Sequence, residues 1–107
     1  MASGILGTAD LLATTVTDVY AVPVDTLTSM NINICNRNSD SVLIRLALSA
    51  TTGVQANSEY IEYETSIEAY GVLERTGVVM QADTIVTMYS DTANVSVVVT
   101  GIEGSTI

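Results

Sequence analysis

The chain has no lysine, histidine, tryptophan or phenylalanine, one proline and one cysteine. Charged residues make up 14% of its 107 positions, where about 25% is usual for a soluble domain. Each shortage removes something. Without histidine or lysine, the commonest general bases, Schiff-base amines and phosphate-gripping ammonium groups are missing. No Cys/His spacing suits zinc, and no glycine-rich phosphate loop is present. Cys35 has no second cysteine to pair with and no histidine or lysine to activate its thiol. A lone cysteine fits assembly in a reducing cytoplasm. No apolar run approaches the ~18 residues of a membrane span. The opening "MASGILGTADLLA" carries Asp10 and no positive segment, so it does not read as a signal peptide.

Positive charge is scarcest of all. Twelve carboxylates stand against Arg37, Arg45 and Arg75, for a net charge of −9. Nucleic-acid binding needs a basic surface that releases counterions, and an anionic membrane needs the same. Neither partner is expected here. The carboxylates are scattered along the chain, without an acidic tail. The expected protein partner is neutral or basic at the contact.

What is present is apolar and hydroxylic. Hydrophobic residues make up 48% of the chain, and serine and threonine are abundant. A chain of this length makes one domain, and it buries only somewhat over ~60% of its unfolded surface. With so few charges, its skin consists of hydroxyls, amides and leftover apolar side chains. That is how a surface looks when neighbours cover much of it. The alternative is a monomer with a neutral, hydroxyl-rich skin.

Period-two patterning dominates. In "MNINICN", Met30, Ile32 and Ile34 share one face of a strand over 27–35, while Asn31, Asn33 and Cys35 share the other. In 42–49, Val42, Ile44, Leu46 and Leu48 oppose Leu43, Arg45, Ala47 and Ser49. Further strands are predicted over 14–22, ended by Pro23, and over 59–64, 72–80, 84–90 and 95–100. Gly77 marks a bulge within 72–80. "NRNSDS" at 36–41, "EAYG", "QAD" and "DTAN" read as turns, and 50–58 reads as a loop. Asn94-Val95-Ser96 matches a glycosylation sequon but reads as the start of a strand. Asp25-Thr26-Leu27-Thr28-Ser29-Met30 echoes Asp83-Thr84-Ile85-Val86-Thr87-Met88, as if one turn into a buried strand were used twice. No convincing helical period occurs. Seven to eight short strands predict an all-β antiparallel sandwich of jelly-roll type over residues 14–107. Residues 1–13 are set apart as an N-terminal arm. Gly4 and Gly7 interrupt any regular element there, and Ile5, Leu6, Leu11 and Leu12 are too apolar for a free tail.

Candidate chemistry is thin. On a strand, Glu62 and Glu64 would share one face roughly 6.5–7 Å apart, a separation that could suit glycoside hydrolysis. A solvated strand face is the simpler reading. Asp83 and Asp91 bracket a hairpin and could touch Ca²⁺, although no spacing matches a calcium loop. The five tyrosines could form a sugar-stacking platform if they gathered on one face, but they are spread along the sequence and suit interfaces equally. No catalytic, metal or cofactor-binding residue is assigned, and the chain reads as non-enzymatic.

"TTVTDVYAVPVDTLTSMNINICNRNSDSVLIRLALS", "EYIEYETSIEAYGVLERTGVVM" and "NVSVVVTGIE" together resemble a family of small virion structural proteins of tailed bacteriophages. The matching elements are "VYAVP", "NICNRN", "EYIEYET", "LERTG" and the valine-rich strand before Gly101, and the resemblance spans about residues 4–103. It implies a β-sandwich that decorates a capsid or sits in a tail, baseplate or fibre, and it offers no catalytic residues. The expected role is that of a capsid decoration (cement) protein in the virion, assembled in the host bacterial cytoplasm. It would bind the major capsid protein and stabilise the shell against internal DNA pressure. A tail, baseplate or fibre component, with or without a carbohydrate-binding role, is the alternative. A trimer is the expected homo-oligomer. The interface candidates are Ile5, Leu6, Leu11, Leu12, Asn31, Asn33, Arg45 and Tyr60.

Overall fold

The alternation in "MNINICN" becomes the central strand of the molecule. The computed structural model of the chain describes residues 2–53 and 55–107. Eight strands form in it: β1 (Ser3–Leu11), β2 (Thr17–Ala21), β3 (Thr26–Asn36), β4 (Val42–Ser49), β5 (Tyr60–Ile67), β6 (Val72–Met80), β7 (Ile85–Ser90) and β8 (Val95–Ser105). A single 3₁₀ turn spans Asn57–Glu59, and no α-helix occurs among the described residues. Two four-stranded antiparallel sheets result, sheet A in the order β1-β8-β3-β6 and sheet B in the order β2-β7-β4-β5. The pairing is nested: β4 pairs with β5, β3 with β6, β2 with β7 and β1 with β8. One long antiparallel ribbon has been rolled upon itself, which is the jelly-roll arrangement the strand count predicted.

The inner faces follow from parity. Met30, Ile32 and Ile34 of β3 and Val95, Val97 and Val99 of β8 line sheet A. Val42, Ile44 and Leu46 of β4 and Val86 and Met88 of β7 meet them from sheet B. β-branched side chains suit this pleated, dry interior. Along one side of the sandwich β1 lies against β2, where a side chain on Gly7 would collide with the Val19 carbonyl oxygen. On the opposite side, Glu62 of β5 reaches Arg75 of β6 at 3.1 Å and bridges the two sheets.

Residues 3–11 are not an arm. β1 pairs with β8 from Ser3↔Ile102 to Leu11↔Val95. The glycines that obscured the strand are what allow it. Gly4 takes φ +101°, and Gly7 has no side chain to strike β2. A one-residue bulge at Leu6 then shifts the alternation, so no simple period is visible in the sequence. The sandwich therefore begins at β1, ahead of residue 14. Met1, also assigned to the arm, lies outside the described residues. β8 likewise runs on through Gly101 to Ser105, because β3 passes so close there that a Cβ would meet the Ser29 carbonyl oxygen.

Gly77 sits at φ +67° in the expected bulge opposite β3. The sequence echo also has a structural basis. Asp25 and Asp83 both adopt positive φ, at +55° and +65°, in the turns that launch β3 and β7. Asparagine and aspartate tolerate that region better than most residues.

Candidate functional site

The buried asparagine of "NICNRN" belongs to the fold. Asn36 is fully buried at the end of β3, and its amide nitrogen donates to the carbonyls of Asp40, Ile67 and Glu68 at 2.9, 3.1 and 3.0 Å. Its Oδ1 accepts from the backbone N–H of Asn38 at 2.9 Å and from the Asn38 amide at 3.0 Å. Asn38 donates onward to the Ala93 carbonyl at 2.8 Å. Three loops at one end of the sandwich are thereby tied to one side chain.

The outer face of sheet A divides into two halves. Pairing sets out the rows Ser3–Ile102–Ser29–Val79 and Ile5–Thr100–Asn31, which contain no ionisable side chain. Ile5 is 70% exposed, Ile102 67% and Val79 59%, with exposed Leu27 beside them. The rows Thr8–Val98–Asn33–Glu74 and Asp10–Ser96–Cys35–Val72 form the more polar half. Asn31 and Asn33, one in each half, already have partners. Asn31 Oδ1 accepts the Gly77 N–H at 3.2 Å, and the Asn33 amide donates to Glu74 at 3.0 Å. The outward asparagines thus serve β6 first. Their remaining amide valences face solvent.

The outer face of sheet B collects charge and aromatic rings. Arg45 lies between Tyr63 and Tyr89, its guanidinium carbon 4.7 Å and 4.6 Å from the two ring centroids. It also donates to Glu64 at 2.6 Å. That hydrogen bond holds the guanidinium pKa above its ordinary value. Arg45 Nε is buried without a partner among the described residues, so two ring faces and one carboxylate hold the group. Tyr60 meets Tyr63 edge-to-face, with centroids 5.0 Å apart. The described residues of the connection between β4 and β5, 50–53 and 55–59, fold back over this face. Thr52 donates to Asp18 of β2, and Glu59 accepts the N–H groups of Ala50 and Ala56, each at 2.8 Å. Those two bonds hold the Glu59 pKa below the usual carboxylate value. The covering explains why outward-facing Ala47, Ser49 and Thr87 are buried. An open cleft of about 320 Å³ remains, lined by Asn57, Tyr60 and Tyr63.

Several sequence expectations need correction. Glu62 and Glu64 do not share a face. Glu64 sits in a bulge at φ +51°, which inverts the alternation. Glu62 pairs with buried Leu46 and points across to Arg75, while Glu64 points outward to Arg45. The carboxylate pair imagined for glycoside hydrolysis does not form. Asp83 and Asp91 sit at opposite ends of β7, and Asp91 accepts the Leu43 N–H. Leu11 is 1% exposed within the core of its own chain, and Leu6 is partly buried against that core, so Leu11 offers no interface. Leu12 is exposed at the corner where the chain leaves sheet A. Ile5, Asn31 and Asn33 lie on the outer face of sheet A, and Arg45 and Tyr60 on that of sheet B. The tyrosines, scattered in sequence, partly gather in space: Tyr63 and Tyr89 flank Arg45, and Tyr60 packs on Tyr63. Pairing of β4 with β5 and with the more distant β7 produces that cluster.

All three arginines are ion-paired, Arg37 with Asp10, Arg45 with Glu64 and Arg75 with Glu62. The net charge of −9 therefore resides in carboxylates without an arginine partner. No group of three or more metal-ligating side chains occurs among the described residues. The chain matches no protein-family model and no curated protein.

Proposed function

We propose that the chain is a non-enzymatic structural protein of a tailed-phage particle, and within that class a capsid decoration (cement) protein. The observation that carries this reading is the uncharged half of the outer face of sheet A. It offers Ile5, Leu27, Val79 and Ile102 among serine, threonine and asparagine side chains. Such a face loses little on desolvation, because it holds no charge to strip of water. Its amides and hydroxyls still give directional contacts. The resemblance of "VYAVP", "NICNRN" and "LERTG" to phage virion proteins supplies the particle context.

The magnitudes favour a multivalent role. Full burial of one large aliphatic side chain stabilises by roughly 1.5–3 kcal/mol. The four are already part-buried and contribute less than four times that. Association of two proteins costs an estimated 4–15 kcal/mol. One such contact is weak, and repetition over a closed ring or a lattice makes it effective. A trimer bound across adjacent capsid subunits satisfies this arithmetic and shifts the equilibrium towards the closed shell.

The experiment places a charge in the centre of the face, as Ile102→Asp. The variant is expected to stay folded, to lose self-association in sedimentation equilibrium, and to lose binding to shells. Unchanged assembly and shell binding would remove this face from the reading. Copy number per particle separates the two locations. A number matching the shell lattice supports decoration, and a number matching a single ring favours a tail or baseplate.

A further inference from the structure

We propose that the cleft between Asn57, Tyr60 and Tyr63 on the outer face of sheet B binds the ring of a neutral sugar. The proposal is independent of the virion reading and of the sheet A face.

Charge comes first. The nearest cation, Arg45, is committed to Glu64 and to the faces of Tyr63 and Tyr89. An anionic ligand would find no free positive group there, and it would approach a molecule of net charge −9. A cation would find no carboxylate among the described residues lining the cleft. Neutral ligands remain.

Shape and chemistry then narrow the class. Among the described residues the walls are two aromatic rings and one amide, and the opening measures about 320 Å³. That lies at the small end of the range for ligand pockets, about 300–1,000 Å³. A wholly apolar ligand would strand the phenol hydroxyls and the amide that rim the cleft. A pyranose has the matching amphipathy. One face is a patch of C–H groups, slightly positive and suited to the negative face of an aromatic ring. Its edge is a ring of hydroxyls, each both donor and acceptor. Asn57 offers two donors and an acceptor, and each phenol one donor. None of these three side chains hydrogen-bonds to another described residue, so their polar tips are available to a ligand.

Rigidity is the third argument. Tyr63 is 57% exposed, yet Arg45 holds it at 4.7 Å and Tyr60 lies edge-to-face with it at 5.0 Å. Arg45 is fixed in turn by Glu64 at 2.6 Å and by Tyr89. Asn57 stands on the 3₁₀ turn that Glu59 closes through the Ala50 and Ala56 N–H groups. Side chains ordered before binding lose less entropy on binding. A ring held open to solvent by this much supporting structure is built as a platform.

Saturation-transfer difference NMR on the full chain tests the proposal. The probes are methyl glucoside, methyl galactoside and methyl mannoside at about 10 mM, suited to a millimolar Kd, with glucuronic acid as the charged control. Transfer to ring protons of at least one neutral glycoside is expected, with much weaker transfer to glucuronate. Tyr63→Ala should reduce the signal at least several-fold. Asn57→Ala, which removes no intramolecular side-chain bond, should also reduce it and carries the test should Tyr63→Ala fail to fold. Tyr70→Ala, an exposed tyrosine that does not line the cleft, should leave it unchanged. The proposal is overturned by absence of transfer to all three glycosides, by equal transfer to glucuronate, or by equal transfer in the Asn57→Ala protein.

Discussion

Replacing Asn36 by alanine should be among the most damaging single changes available outside the apolar core. The side chain is fully buried; its two amide hydrogens are shared among the carbonyls of Asp40, Ile67 and Glu68, and its oxygen accepts two hydrogen bonds from Asn38. A typical buried hydrogen bond contributes about 0.5–1.5 kcal/mol net, and a buried group left unpaired costs about 1–3 kcal/mol. Water entering from the loop side recovers part of this, so a loss of roughly 3–5 kcal/mol is expected. Domains of this size have about 5–15 kcal/mol in all. Each kcal/mol moves the melting midpoint by roughly 4–8 °C. Asn36→Ala should therefore lower it by at least about 12 °C, measured by calorimetry and confirmed by urea unfolding. Asn36→Asp separates donor chemistry from volume. It keeps the size and the acceptor for Asn38, but it sets a carboxylate against three carbonyl oxygens. It should be at least as destabilising as alanine at pH 7, and less so at acid pH, where protonation restores one donor. A loss under about 1 kcal/mol for Asn36→Ala, or an aspartate variant as stable as the native chain, would refute the view of this side chain as the tie between three loops.

Three other outcomes are expected. Tyr20 is pushed up to about 12 by burial and by its hydrogen bond to Glu103. Its contribution to stability is thus fully present below pH 10 and lost as pH rises towards 12; alkaline unfolding should show this loss, and Tyr20→Phe should abolish it. Glu59 is held low by the N–H groups of Ala50 and Ala56, so its contribution is present above the ordinary glutamate pKa and disappears as pH falls through the lowered value; hydrogen exchange at those two amides should accelerate in acid ahead of the strands. Glu62→Gln and Glu64→Gln break ion pairs on opposite faces; each should cost about 0–1 kcal/mol, as part-exposed pairs do, and their effects in urea unfolding should add in the double variant to within ~0.5 kcal/mol.

Much of the fold was legible wherever alternation ran unbroken. Met30, Ile32 and Ile34, and Val42, Ile44 and Leu46, all point inward as their parity requires. Gly77 announced its bulge because glycine is the residue that takes positive φ most cheaply. Glu64 gave no such notice. A glutamate at φ +51° looks like any other strand residue, and it inverted the faces around it. β1 was hidden for a related reason: its bulge at Leu6 removes the period, and Gly7 reports a close approach to β2 that only the folded chain contains. The uncharged face of sheet A could be anticipated in part from Asn31 and Ile5, but Ile102 and Val79 join them only through the pairing of β3 with β8 and β6. The Tyr60–Tyr63–Arg45–Tyr89 cluster needs β4 and β5, consecutive in sequence, to meet β7 from farther along the chain, and no local pattern encodes it.

The nested pairing has a consequence in time. β4 and β5 adjoin each other across one loop, whereas β1 and β8 are separated by nearly the whole chain. Closing a longer loop costs more conformational entropy, and contacts distant in sequence slow folding. The ribbon should therefore zip outward from β4–β5 through β3–β6 and β2–β7, each step shortening the loop that the next must close. β1 docks last in this order. The same hierarchy, run backwards, makes β1 the first strand to detach from the native state, leaving the flank of β8 open to a strand from elsewhere. In a crowded assembly that strand can come from a sister molecule. Partial opening of the outermost turn of the roll is then a route to exchange between copies that leaves the remaining strands intact.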